Sequence, residues 1–194
     1  MVLSSTAFFG TLAHAADEEG RYSVRGAGLL SCEAFTKERA GATPAYQMIG
    51  GWLDGYITAL NANRAQTYDI TSYESTEILA SILDRHCQSH PKQRLFSVVN
   101  AVTSQLHAQR ISAASPRQRV VIGERSTELY NETVTRLQLA LVEQGLLLHD
   151  AVSGHFDKPT ATAVASYQQQ LEFEPTGFPD QATLWILFTA TVPG

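Results

Sequence analysis

The sequence predicts an all-α protein with an N-terminal disulfide-bridged four-helix domain, a linker and a C-terminal three-helix bundle. Apolar residues recur at three- and four-residue steps over most of the chain, the cysteine count is two, and one arginine-rich segment lacks the helical period. A length of 194 residues suffices for two small domains with separate cores. We place these domains at residues 20–109 and 127–194, with the linker at residues 110–126.

The composition is that of an ordinary folded protein, and its charge excludes several classes of partner. Hydrophobic residues make up 44% and charged residues 17%, which excludes a disordered chain and a multi-span membrane protein. The formal net charge of -5 gives no general attraction to nucleic acid or anionic lipid, since both require a basic excess. We therefore expect no nucleic-acid partner, no membrane span in the mature chain and no cofactor.

Residues 1–15 are predicted to be a signal peptide. They are apolar and rich in small residues, and they close on Ala13-His14-Ala15, the A-x-A form that a signal peptidase cleaves. The basic N-terminal region of a typical signal peptide is missing. The alternative is a buried N-terminal helix, which Gly10 and the lack of amphipathic spacing disfavour. A stretch this short does not reach the about 20 apolar residues of a membrane span. We expect export, with a mature chain that begins at Ala16.

The two cysteines, Cys32 and Cys87, are predicted to form a disulfide. An exported protein meets an oxidising compartment, where an even cysteine count usually means a bridge. Closing the loop between them removes about 4 kcal/mol of unfolded-state entropy on the chain-entropy model. The alternative is a cysteine nucleophile with His86 as its base. Neighbouring residues in a helix point in different directions, which disfavours that pair.

Four helical segments are predicted before residue 109. The first, around residues 31–39, brings Cys32 to the bundle. The second begins at Thr43-Pro44, a cap residue followed by a proline in the first turn. The third begins at the T-x-x-E capping box of residues 71–74 and ends before Pro91, and the fourth follows at once.

The predicted linker has no helical period. It contains Pro116, Gly123 and four arginines against one glutamate. Its positive charge is compatible with contact to an anionic polymer, and the simpler interpretation is a solvated hinge. Residues 120–122 are apolar and are expected to lie on a domain surface. No internal repeat stands out in the chain.

From Val134 onward the pattern predicts three helices joined by two loops. The three blocks are V-x-x-L-Q-x-x-L-x-x-x-G at 134–145, G-H-F-D-x-x-T-x-x-A-V-x-x-Y-Q at 154–168, and T-G-F-P-D-x-x-T-L-x-x-L at 176–187. They resemble, in order and spacing, the peptidoglycan-binding domain-1 family, over about residues 130–190. Tyr167 replaces the usual phenylalanine, and Ser153 and Asp157 stand where the family usually has aspartate and glycine. The resemblance implies a small helical domain with peptidoglycan as its partner.

The glutamines of these blocks and the loop residues are expected to have different roles. Gln138 and Gln168 sit next to core positions, so we expect them to hydrogen-bond loop backbone rather than ligand. Ligand contacts should come from exposed loop residues and helix N-termini. The candidates are Ser153, His155, Asp157 and, as an apolar platform, Phe178. The alternative is that these are turn and capping residues only.

No catalytic set is found in the sequence. The H-E-x-x-H helix, the S-H-G-x-x-x-C run and the G-x-S-x-G elbow do not occur. His86 and His90 are four residues apart, as metal ligands on a helix would be, but Pro91 disrupts that helical turn and a polar surface pair is the simpler interpretation. We expect no enzyme, no catalytic residue and no metal site. The alternative is a cell-wall enzyme or its targeting subunit.

The N-terminal domain resembles the small disulfide-bridged HdeA-like periplasmic helical proteins. The shared features are Ser31-Cys32, the Trp52-x-x-Gly55-Tyr56 segment with Asn61 after it, and Cys87 followed by Pro91. They cover about residues 28–108. We expect this domain to contact an unidentified envelope protein at the cell wall. The alternative implied by the resemblance is a periplasmic chaperone tethered to the wall.

Overall fold

The computed structural model describes residues 16–190, and the predicted signal peptide at residues 1–15 lies outside them. Within this range the chain forms seven α-helices and one two-stranded sheet. The prediction of a mostly helical fold is confirmed, and the sheet is a correction to the all-α prediction. No helix within residues 16–190 is long and apolar enough to cross a bilayer.

The elements fall on either side of residue 112. The helices are α1 (Cys32–Ala40), α2 (Pro44–Asn63), α3 (Thr76–Ser89), α4 (Leu95–Leu106), α5 (Asn131–Glu143), α6 (Lys158–Gln170) and α7 (Gln181–Ala190). The strands are β1 (Arg117–Ile122) and β2 (Arg125–Tyr130), and short 3-10 helices lie at Gly26–Leu29, His107–Gln109 and His149–Ala151. We refer to residues 26–111 as the N-terminal unit and to residues 117–190 as the C-terminal unit.

The disulfide joins the two ends of the N-terminal unit's core. Cys32 and Cys87 are bonded, which confirms the predicted bridge and links the first turn of α1 to the last turn of α3. Both cysteines are buried in one cluster with Phe35, Leu83 and Leu95. A covalent link inside the core restricts the unfolded chain and stabilises a unit of this size.

The third helix begins later than its sequence signal predicts. The capping box at residues 71–74 is not the helix start, because α3 begins at Thr76 and its cap is Ser75, whose hydroxyl accepts from the Ile78 N–H at 3.3 Å. The residues of the expected capping box are mostly buried and do not start the helix. The Tyr73 ring packs in the core of the C-terminal unit, with its centroid 5.2 Å from that of Phe188. Tertiary burial therefore overrides the local capping signal.

A β-hairpin occupies most of the segment predicted as a linker. Strands β1 and β2 pair antiparallel from Arg117 opposite Tyr130, and the turn between them has Gly123 at a φ of +59°. A two-residue turn with glycine first matches the right-handed twist of paired strands. Val120 and Leu129 are buried in the core of the C-terminal unit. The hairpin is therefore part of that unit's fold.

The two units meet through defined bonds. The Tyr130 hydroxyl donates to Asp69 Oδ2 at 2.8 Å, and the Thr133 hydroxyl donates to the Ser72 carbonyl at 2.8 Å. The Arg136 guanidinium donates to the carbonyls of residues 109 and 110. Trp185 packs against the apolar cluster around Ile57 and Leu79. Four separate contacts therefore join the two units.

Candidate functional site

The first of two loops in the C-terminal unit is built around Gln138. We call residues 153–160 the first loop. The Gln138 side chain is fully buried on α5. Its Oε1 accepts from the N–H groups of Ser153 at 3.0 Å and Gly154 at 2.8 Å. Its Nε2 donates to the His155 carbonyl and to Thr160 Oγ1, both at 2.9 Å. One amide therefore bonds to both ends of the loop.

The second loop, residues 176–183, repeats this arrangement around Gln168 of α6. The Gln168 Oε1 accepts from the Gly177 N–H at 2.9 Å. Its Nε2 donates to the Phe178 carbonyl at 2.9 Å and to Thr183 Oγ1 at 3.2 Å. The predicted structural role of both glutamines is confirmed. A buried amide needs partners, and a loop supplies unpaired backbone groups.

The two loops share a sequence pattern that the expectation of no internal repeat missed. Residues 153–160 and 176–183 both read [S/T]-G-x-x-D-x-x-T, each downstream of one of the glutamines. The aspartate caps the next helix: Asp157 Oδ1 accepts from the Thr160 N–H at 3.0 Å, and Asp180 Oδ1 from the Thr183 N–H at 2.9 Å. The repeated pattern is present in the sequence. It is hard to recognise because the connection from the glutamine to the glycine differs in length between the two copies.

Three of the four predicted ligand residues lie together on the first loop. Ser153, His155 and Asp157 are exposed. The Ser153 hydroxyl accepts from the His155 N–H at 3.2 Å, so it also helps to form the turn. The Thr160 hydroxyl donates to the Asp157 carboxylate at 2.6 Å, and this bond lowers the pKa of Asp157. The loop therefore presents a carboxylate beside an imidazole.

Phe178 is not an exposed platform, which corrects the expectation for this residue. It lies on the second loop, its residue surface is only 7% exposed, and the Arg125 guanidinium carbon lies 4.5 Å from its ring centroid. The apolar ring is covered by the hairpin, because a cation over an aromatic face is a favourable contact. The structure does not bring Phe178 to the surface with the first three candidates.

Gln118 of β1 is a further loop-positioning residue. Its Oε1 accepts from the Phe156 N–H at 2.7 Å, and its Nε2 donates to the Gly154 carbonyl at 2.7 Å. Nothing in the sequence marks this glutamine, since it lies in a segment predicted to be irregular. It shows that the hairpin helps to hold the first loop in place.

An amphipathic cleft lies next to the first loop. Its volume is about 540 Å³, and it is lined by the connection after α5 and by one side of α6: Leu146, Leu147, Leu148, Ala151, Lys158, Pro159, Thr162, Ala163 and Ser166. Leu148 is 75% exposed. The cleft joins apolar surface to the Lys158 ammonium, one residue after the capping Asp157.

The histidine pair considered as a metal site makes polar surface contacts. His86 and His90 are exposed, and their rings stack with centroids 4.2 Å apart. A ring nitrogen of each has a protein partner: His86 Nε2 lies 2.7 Å from Gln93 Oε1, and His90 Nδ1 lies 3.0 Å from the His86 carbonyl. Across residues 16–190, no group of three or more histidine, cysteine or acidic side chains is placed to hold a metal ion.

Comparison with known proteins places the two loops inside one family match. A family model described as "Putative peptidoglycan binding domain" matches residues 130–187. The predicted family resemblance is confirmed for this segment. The match spans α5, α6 and most of α7, so it contains both glutamine-centred loops and none of the N-terminal unit. Searches of curated proteins and of solved structures found no match. A peptidoglycan-binding segment and a disulfide together indicate an extracytoplasmic location.

Proposed function

We propose that the chain is an exported, non-catalytic protein that binds peptidoglycan through its C-terminal unit and presents its N-terminal unit to an envelope protein. The family match over residues 130–187 is the observation that carries the proposal. The matched family is described as a binding domain. The disulfide supports export, because such bonds persist in oxidising compartments.

The first loop and its neighbouring cleft are the proposed contact surface. Peptidoglycan offers amide, hydroxyl and carboxylate groups on its sugars and stem peptides. Ser153, His155 and Asp157 supply exposed polar groups on a backbone that Gln138 holds rigid. The Lys158 ammonium suits a stem-peptide carboxylate, and the leucines of the cleft suit its methyl groups. A loop fixed before binding loses little entropy when the ligand arrives.

The N-terminal unit is proposed to be an interaction module with a fixed orientation. Its bonds to the C-terminal unit, such as Tyr130 to Asp69 and Thr133 to Ser72, restrict where it faces. One side carries a row of aromatic rings from Phe96 through Tyr56 to Trp52, and Tyr22, which precedes the unit, extends it at Phe96, with successive centroids 5.6 to 5.7 Å apart. Aromatic side chains are enriched where proteins meet other proteins.

Wall binding is tested by co-sedimentation of the chain from residue 16 with purified sacculi. We expect the protein in the pellet, and His155→Ala to weaken binding roughly fivefold through loss of a hydrogen bond worth about 1 kcal/mol. The matched control is His149→Ala, an exposed histidine of the same unit outside the first loop. Recovery of the wild-type protein in the supernatant would remove the proposal. Release of muropeptides would favour the cell-wall enzyme.

The interaction role is tested against the chaperone alternative with the same protein. An interaction module should capture an envelope partner at about pH 7 and should not suppress client aggregation at about pH 3. An acid-activated chaperone should do the reverse, because it exposes its binding surface only on partial unfolding. Strong suppression at the acid pH alone would reject the interaction module. The outcome would then favour a chaperone held at the wall.

A further inference from the structure

A second, polar cleft lies at the joint between the two units. Its volume is about 200 Å³, and it is lined by the turn before α3, the hairpin and the first residue of α7: Thr71, Ser72, Tyr73, Glu74, Ser75, Arg117, Thr127, Glu128, Tyr130 and Gln181. No residue of the first loop lines it, and of its lining residues only Tyr130 and Gln181 lie in the segment that the family model matches. Its walls come from both units.

Glu74 provides a buried carboxyl group on one side of this cleft. The residue is 7% exposed, and its Oε2 accepts from the Tyr73 N–H at 3.2 Å. Its Oε1 is buried and has no hydrogen-bond partner among the described residues. Burial raises the pKa of Glu74. A buried oxygen without a donor is costly, so a rotation of the side chain that brings Oε1 to a ligand's donor in the cleft would be stabilising.

Arg117 provides a held guanidinium on another side. Its Nη2 donates to the Tyr130 hydroxyl at 2.6 Å and lies 3.5 Å from Asp69 Oδ2. Its Cζ lies 4.2 Å from the Tyr130 ring centroid, while half of the side chain stays exposed. A guanidinium carries five N–H donors in a planar fork, and the bonds described for Arg117 use Nη2 alone. The position of the group is therefore set before any ligand binds.

The charges of the cleft exclude simple ions as good ligands. A lone cation would meet the Arg117 guanidinium, and a lone anion would meet the carboxyl groups of Glu74 and Glu128. A ligand with both charges satisfies both sides. The volume is below the 300 to 1,000 Å³ of typical drug-sized sites, so it suits one small group.

We propose that this cleft binds a zwitterionic amino-acid group, with its ammonium on Glu74 and its carboxylate on Arg117. The Ser75 hydroxyl donates to Gln181 Oε1 at 3.1 Å, which closes the cleft between α3 and α7. Two sources carry this chemistry: a free amino acid, or the unlinked end of a diamino acid in a wall stem peptide. The cleft does not depend on the first loop, so either source is compatible with the proposed function.

Three ligands that share the same five-carbon unit and differ in their end groups test the proposal. Diaminopimelate carries zwitterionic ends, pimelate carries the carboxylates alone, and 1,5-diaminopentane carries the amines alone. In titration calorimetry on the chain from residue 16, we expect diaminopimelate to bind at least about tenfold more tightly than either analogue, because each analogue leaves one charged side unpaired. Of the three ligands, only diaminopimelate is expected to raise the midpoint of thermal unfolding. Equal affinity for all three, or no binding, would overturn the proposal.

Variants locate the binding and identify its source. Arg117→Gln and Glu74→Gln should each weaken diaminopimelate binding about tenfold, while Arg119→Gln, an exposed arginine of β1 that does not line the cleft, should not. Unchanged binding in both cleft variants would overturn the assignment. If either variant fails to fold, the three titrations of the wild-type protein still decide whether the zwitterion binds.

If the wall supplies the group, Arg117→Gln also lowers pelleting with sacculi. Pelleting without diaminopimelate binding would reject the cleft and keep the proposed function.

Discussion

The first and second loops of the C-terminal unit follow one plan but have different surroundings. In both, a buried glutamine amide holds a glycine N–H, and an aspartate caps the following helix. The first loop leaves His155 exposed, whereas the second buries Phe178 under Arg125. The shared pattern therefore determines the backbone, and the neighbouring elements determine which copy faces solvent.

The difference follows from where the N-terminal unit and the hairpin lie. Gln181, within the second loop and at the start of α7, accepts from the Ser75 hydroxyl of the N-terminal unit. Gln118, near the start of the hairpin, bonds to backbone groups of the first loop, where the side chains of His155 and Asp157 stay exposed. One copy of the pattern thus joins the two units, and the other has its polar side chains exposed at the surface.

The largest expected effect comes from removing either glutamine amide. Gln138→Leu and Gln168→Leu should each lower the free energy of unfolding by about 3 kcal/mol, because buried backbone N–H groups lose their acceptor. Chemical denaturation of the chain from residue 16 measures this, with the exposed Gln169→Leu as the control, expected to change stability by less than about 0.5 kcal/mol. A large effect at only one glutamine would contradict the shared plan.

Replacing the glycine of each loop with alanine should lower stability by a smaller amount, and by a different amount in the two loops. Gly154 and Gly177 have φ values of +73° and +70°, so an alanine is strained at both. An added Cβ at Gly177 would lie 2.7 Å from the Ala161 carbonyl oxygen, and one at Gly154 would lie 2.9 Å from the Thr135 hydroxyl. A side chain can move more easily than helix backbone.

We therefore expect Gly177→Ala to cost about 2 kcal/mol and Gly154→Ala about 1 kcal/mol. Thermal or chemical unfolding measures both. Gly51→Ala is the control, because Gly51 lies inside α2 with no atom within 4 Å of an added Cβ, and alanine there should be slightly stabilising. A larger loss at Gly154 than at Gly177 would mean that Thr135 is held as firmly as the backbone.

The parts of the fold that the sequence predicts are those with local chemical signals. Thr43-Pro44 predicts the start of α2, and the Thr43 hydroxyl accepts from the Tyr46 N–H at 3.2 Å. The even cysteine count predicts the bridge of Cys32 to Cys87. The spacing around Gln138 predicts its bonds to loop backbone. Each depends on residues whose role is set by their own chemistry.

The missed parts depend on contacts between distant residues. The run of Val120 to Ile122 is too short to distinguish a strand from an apolar loop, and the hairpin forms because Val120 finds the core of the C-terminal unit. The start of α3 moves because Tyr73 is buried against Phe188. Phe178 is hidden because Arg125 reaches it from the hairpin tip. No local pattern encodes these pairings.

The smallest expected effect is the pH dependence of the first loop's cap. The Thr160 hydroxyl and N–H donate to Asp157, and these bonds hold the pKa of Asp157 below its ordinary value. A carboxyl with a lowered folded pKa contributes stability above its unfolded pKa and loses that contribution as the pH falls through the folded pKa. The residue is exposed, so solvent screens the effect.

Asp157→Asn isolates this contribution, because asparagine is also a good cap and removes only the charge. At about pH 7 the wild type should be more stable than this variant by less than about 1 kcal/mol. The difference should shrink toward zero as the pH falls below 3.8, the ordinary aspartate value. Denaturation of both proteins across this pH range measures the stability difference, and wall binding is measured in parallel. A difference that stays constant at low pH would show that the carboxylate charge does not stabilise the first loop.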